Sequence, residues 1–127
     1  MQGPPGSGKS DLALRLIDQP GYGHGVKLMR AMLVADDQVH ISCSGNALWA
    51  TAPHVLRGKL EIRGLGIVSL QSVERIRLAL AVGLVPSGSI ERMPDSDRSY
   101  VDILGIRLDR TFVDPATSSA PARLRAA

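Results

Sequence analysis

Gly3-Pro4-Pro5-Gly6-Ser7-Gly8-Lys9-Ser10 satisfies the phosphate-binding pattern G-x-x-x-x-G-K-[ST] at every fixed position. Each residue type answers a chemical need. Gly6 and Gly8 let the backbone turn its N–H groups inward, through conformations a side chain would forbid, so that they surround a polyphosphate. Lys9 is a mobile point charge for the β- and γ-phosphates, and the Ser10 hydroxyl can ligate Mg2+. Asp11-Leu12-Ala13-Leu14-Arg15-Leu16-Ile17 follows with apolar residues at helical spacing, which predicts a helix whose N-terminus faces the anion. Gly3, Pro4, Pro5, Gly6, Ser7, Gly8, Lys9 and Ser10 are therefore the candidate nucleotide-binding residues, against the plainer reading of a chance Gly/Ser-rich turn. Such a loop ordinarily hangs from the C-terminal end of a buried strand, and only Met1 and Gln2 precede it. The expectation is a chain truncated at its N-terminus, with that strand missing.

The 127 residues suit one domain with a single core. An apolar fraction of 44% with 21% charged residues argues for a globular chain and against disorder. Aromatic residues make up only 3%, so the core must come from Leu, Val, Ile and Ala, and the stacking platforms of single-strand nucleic-acid binders are missing. The net charge of +3 is spread without a Lys/Arg run, which speaks against nucleic acid as a partner. Cys43 is the only cysteine and excludes an internal disulfide. No apolar stretch approaches the ~18 residues of a membrane span, and no signal peptide is recognisable. The expected setting is soluble and cytoplasmic.

Further along, the run Ala31-Met32-Leu33-Val34-Ala35 reads as a buried strand that ends in Asp36-Asp37. In nucleotide-binding α/β sheets the ligand lies beyond the carboxyl ends of the strands, where carboxylates hold the metal or accept a proton from a nucleophile. A solvated turn is the alternative, and the phosphate loop in the same chain favours the catalytic reading. Gln38–Cys43 and Ala47–Ala52 predict a hairpin around Ser44-Gly45-Asn46, with His40 on its polar face and Trp49 as its core anchor. Leu60–Val68 places Glu61 and Arg63 on one face of a short strand, which suits a site touching metal and phosphate or, equally, a surface ion pair. Arg75–Val82 reads as one core strand, Pro86–Arg98 as a loop carrying Arg92, and Tyr100–Leu108 as a strand or strand pair. Thr117–Ala127 reads as the start of a helix capped by Ser118 or Ser119.

Taken together, Gly3–Ser10 with Asp11–Leu14, then Leu33-Val34-Ala35-Asp36-Asp37, then Leu60-Glu61-Ile62-Arg63-Gly64-Leu65-Gly66-Ile67, resemble HPr kinase/phosphorylase in order and wording. The last segment looks like that family's signature and is more specific than the loop. The brevity of the later parts is similar to the short form found in alphaproteobacteria. The resemblance implies an ATP- and Mg2+-dependent kinase that phosphorylates a serine of HPr, the phosphocarrier of the sugar phosphotransferase system, and that can also run phosphorolysis of the phosphoserine. It implies that Gly3, Gly8 and Lys9 hold the phosphates and that Ser10, Glu61 and Asp36 surround the metal. It implies that Asp37 is the general base, with Arg63 and Arg92 as catalytic arginines, and that the protein forms a homo-oligomer. The arginine- and glycine-containing loop used for dephosphorylation is not recognisable where it would stand, at Asp114–Ser119, so kinase activity is the firmer expectation.

The fold expected for residues 1–127 is an α/β phosphate-loop (P-loop) kinase domain with a mixed, strand-rich sheet, like HPr kinase and PEP carboxykinase. The middle of the chain supplies hairpin-type strands in place of repeated strand–helix units. Two other readings stand beside it: a small-molecule kinase or ATPase, and a catalytically degenerate nucleotide-binding module.

Overall fold

In the computed structural model, which describes residues 1–93 and 99–127, the glycine loop runs into helix α1 (Lys9–Asp18). There follow strands β1 (His40–Ser44), β2 (Ala47–Thr51), β3 (Lys59–Ile62), β4 (Gly66–Ser69), β5 (Arg75–Arg77), β6 (Ala81–Leu84), β7 (Tyr100–Ile103) and β8 (Ile106–Val113), and helix α2 (Ala120–Ala126). The last part of the expected Pro86–Arg98 loop, residues 94–98, lies outside the described residues.

β6 is buried along its whole length, as an apolar run without alternation requires when both faces are covered. It runs parallel to β8, and β7 returns antiparallel on the far side of β8, giving the order β6-β8-β7. Leu12 of α1 and Ala120 of α2, neither of them exposed, pack with Val82, Leu84 and Val113 into the core, and Leu16, Leu80 and Leu124 close its margin. Gly83 is required here by space: a Cβ on it would lie 2.6 Å from the ring of Phe112, its register partner on β8.

Before the glycine loop no strand is formed, and Gln2 alone makes an isolated parallel bridge to Gly83 of β6. Gln2 N–H donates to the Val82 carbonyl at 2.7 Å and its own carbonyl accepts from Leu84 N–H at 2.9 Å, parallel to β6. The glycine loop therefore begins beside β6.

The central hairpins depart from the sequence reading in instructive ways. β1 and β2 pair as expected around Gly45-Asn46, both at positive φ, which is the two-residue turn whose twist matches antiparallel strands. Trp49, however, is not the core anchor. Leu48 and Ala50 are the buried residues of β2, and Trp49 stands on the other face with the Arg75 guanidinium 4.1 Å over its ring. The segment Leu60–Val68 is a hairpin of β3 and β4, so Arg63 lies in its turn and does not share a strand face with Glu61. Arg75–Val82 is two strands: β5 joins β1 and β2 in a three-stranded sheet, and the chain then crosses to the core sheet as β6. Ala31–Ala35 forms no strand; only Leu33 pairs, accepting from Val73 N–H at 2.9 Å in a single parallel bridge to Ser72. At α2, Ser119 takes the cap position but its side chain makes no capping bond. The outcome is the mixed, strand-rich α/β arrangement that the hairpin-type segments imply.

Candidate functional site

The glycine loop turns through Gly6 and Gly8 at φ 76° and 85°, values open to glycine and strained for any side chain. Gly8 is also the N-cap of α1, and no side chain caps it. The first-turn N–H groups of α1 have no intrahelical acceptor and stand at the positive end of the helix dipole, a ready anion site. The Ser7 hydroxyl is buried without a hydrogen-bond partner in the same loop. Lys9 Nζ donates to the Gly3 and Pro4 carbonyls at 2.9 and 3.0 Å, which folds the ammonium over the loop and leaves its third N–H for a ligand.

Asp36 joins this loop to the rest of the site. Its Oδ1 accepts from Ser10 Oγ at 2.7 Å and its Oδ2 accepts from the Glu61 backbone N–H at 3.0 Å. One half-buried carboxylate thus ties the first turn of α1 to β3 across 26 and 25 positions of sequence. The Ser10 hydroxyl spends its proton on Asp36 and keeps its oxygen lone pairs for a cation. Asp37, Glu61 and Arg63, all exposed, line the same open cleft of about 1120 Å3 together with Gly3, Pro5, Gly6, Ser7, Gly8, Lys9, Ser10 and Asp36. Pro4 contributes its carbonyl to Lys9 but no surface to the cleft, and Arg92 is exposed beyond the cleft-lining residues.

The donor set is one of hard oxygens. Among the described residues no group of three or more His, Cys, Asp or Glu side chains could cage a metal ion by itself. Mg2+ is ordinarily held by one or two protein oxygens plus substrate phosphates and water. Ser10 and Asp36 fit that role, with Glu61 close by through its backbone.

Comparison with known proteins follows the same outline. The model of the HPr Serine kinase C-terminal domain matches residues 1–114. The chain belongs to this family. The HPr kinase/phosphorylase of Bordetella avium is 34% identical over 125 residues, and that of Caldicellulosiruptor bescii 36% over 126. These alignments cover 90% and 91% of this chain but 37% of each relative, so the chain spans little more than a third of their length. The solved structure of the Hpr(Ser) kinase/phosphatase from Coxiella burnetii superposes with a TM-score of 0.74 at 26% identity, covering 98% of this chain and 80% of that one.

Two parts of this candidate site escape a sequence reading. The bond from Asp36 to a backbone N–H carries no residue signature, because any residue but proline at position 61 would supply it. The second is an apolar wall of Val39, Ala50, Ile76 and Leu78 on the cleft. Its signal was present in Arg75-Ile76-Arg77-Leu78, where Ile76 and Leu78 alternate with arginines. Near the loop, Asp114 is held below its ordinary value, first by the Ser87 hydroxyl and then by the Ala116 and Ser87 N–H groups. Its neighbour Pro115 packs toward Gly8, so the turn after β8 braces the loop.

Proposed function

We propose that residues 1–127 form the catalytic unit of an ATP-dependent protein kinase that phosphorylates a serine of the phosphocarrier HPr. The observation that supports this best is the shared carboxylate of Asp36, which draws Ser10 of the glycine loop and Glu61 of the family signature segment into one cleft with Asp37. Read this way, Gly3–Ser10 is a phosphate-binding loop. When bound, Mg·ATP supplies the phosphoryl group and the metal charge that balances it.

The chain's own groups then divide the work. Backbone N–H groups at the start of α1 orient the phosphates, and Lys9 offers its remaining N–H to them. Ser10 and Asp36 hold the cation through oxygen, with Glu61 beside them. A serine hydroxyl is a weak nucleophile, so Asp37 accepts its proton while the serine oxygen forms the new P–O bond and the bond from the γ-phosphorus to the ADP oxygen breaks. Arg63 neutralises charge that spreads over the transferring group. Arg92 belongs to the proposal through the family likeness alone.

The kinase direction is the one proposed. The segment Asp114–Ser119, where the dephosphorylation loop would stand, is instead engaged with α1: Arg15 donates to the Pro115 and Thr117 carbonyls. A non-enzymatic nucleotide module and a small-molecule kinase remain the rival readings, and the family favours the protein kinase. Assembly into a homo-oligomer and a cytoplasmic setting belong to the same proposal. No helix among the described residues is long and apolar enough to cross a membrane.

The test is transfer of label from γ-labelled ATP with Mg2+ to purified HPr, with the unmutated chain and with Asp37→Asn. Label on a carrier serine that falls by about two to four orders of magnitude in the variant, at unchanged nucleotide affinity, is the expected result. Nucleotide binding without transfer by the unmutated chain would sink the kinase reading.

A further inference from the structure

The cleft holds an apolar wall that phosphate chemistry does not use. Val39, Ala50, Ile76 and Leu78 line it. Ala50 faces Ile76 across the β2–β5 ladder, whereas Trp49 and Arg77 pair on the opposite face. Leu78 follows Ile76 by two residues, and its N–H donates to the Leu48 carbonyl at 2.9 Å, which keeps it on the sheet beyond the end of β5. The wall is firmly founded, because Leu48 and Ala50 are buried at 1% and 3% exposure. Its outer members are not: Val39 is 44% and Ile76 46% exposed, inside a concave site. Apolar side chains half-open to water in a cleft gain free energy when a ligand covers them.

Their position says which ligand. Val39 lies two residues beyond Asp37, the proposed base, while the glycine loop and Lys9 form another border of the cleft. A general base must lie within hydrogen-bond reach of the proton it takes, so the acceptor serine sits at Asp37, and Val39 lines the same cleft two residues further along the chain. These four side chains offer no hydrogen-bond donor or acceptor, and a polar neighbour pressed against them would lose water without a partner. We propose that Val39 and Ile76 receive an apolar side chain adjoining the acceptor serine, so that this wall selects the protein substrate by the residue beside its phosphorylation site. The inference rests on the kinase reading above and deepens it.

Val39→Ser, Ile76→Ser and the double variant test it with purified HPr and saturating Mg·ATP. Both side chains are already half-exposed, so shortening them opens no cavity in the core. The double variant is expected to raise KM for HPr about tenfold while kcat and nucleotide affinity hold, and Ile76→Val restores most of the loss. A matching fall in nucleotide affinity with KM for HPr unmoved would assign the wall to the nucleoside base and overturn the proposal. Phosphorylation of HPr with neither constant changed would overturn it as well, leaving the kinase reading intact. If the unmutated chain fails to phosphorylate HPr, the kinase reading falls and this inference falls with it.

Discussion

Asp36 is the residue whose environment most shapes the site. Both carboxylate oxygens accept a hydrogen bond, one from a hydroxyl on α1 and one from the backbone of β3. Removing the carboxylate leaves two donors without acceptors in a half-buried position, which is costlier than losing an exposed pair. Asp36→Ala should therefore lower stability by on the order of 1–3 kcal/mol, read as a shifted urea midpoint. It should also weaken nucleotide affinity, since the Ser10 hydroxyl loses the group that aims it. Unchanged stability would mean that the carboxylate's desolvation offsets its bonds. Asp37, next in sequence, is exposed and makes no such bond among the described residues, which suits the base proposed for it.

At the scale of elements, arginines join pieces that lie far apart in sequence. Arg125 of α2 donates to the Leu16 carbonyl at 2.8 Å and to that of Gln19, satisfying carbonyls left open at the end of α1. Arg15 bonds the turn after β8 and pairs with Asp11 one helical turn away at 3.0 Å. The β7–β8 hairpin turns through Leu104 and Gly105, both at positive φ, a conformation that β-carbon sterics disfavour for leucine. Leu104→Asn should raise stability by about 1 kcal/mol, measured by chemical unfolding, because asparagine tolerates that region and Leu104 is 62% exposed. The turn after β8 carries a pH signature. Hydrogen bonds hold Asp114 below its ordinary value of 3.8. A carboxylate depressed in the folded state stabilises above its unfolded pKa and loses that contribution as pH falls through its folded pKa. Acidification below about pH 4 should thus lower the Tm of the native chain more than that of Asp114→Asn, and parallel Tm profiles would contradict the assignment.

At the scale of the whole molecule, the proposed ligand site and the core are one construction. Leu12, without exposure, roots α1 in the β6–β8 sheet directly behind the loop that the helix presents. A ligand that binds only this folded arrangement must stabilise it. Mg·ATP at a hundred times its Kd should add about 2.7 kcal/mol and raise Tm by several degrees. The shift should largely vanish in Lys9→Ala, which deletes the ammonium over the loop. A full shift in that variant would place the nucleotide elsewhere.

Local chemistry determined much of this protein without help from the fold. The spacing of Gly3, Gly8, Lys9 and Ser10 sets a loop and a helix start, because positive φ and an uncapped first turn are properties of a few adjacent residues. The two-residue turn at Gly45-Asn46 is legible for the same reason, and so are the acids at Asp36-Asp37. What needed tertiary structure is everything set by a partner distant in sequence. The run Ala31–Ala35 has the composition of a strand, yet becoming one depends on an edge to pair with, and only Leu33 finds it. Arg75–Val82 alternates and then becomes apolar without a break, and only the change of neighbour from β2 to β8 splits it in two. Glu61 is tied to Asp36, and through it to Ser10, by a backbone N–H that no side-chain pattern encodes. The wall of Val39 and Ile76 becomes visible only when two strands and a loop stand around one cleft. Short-range sterics write themselves into adjacent residues; burial and pairing are decided by surfaces that meet only when the chain has folded.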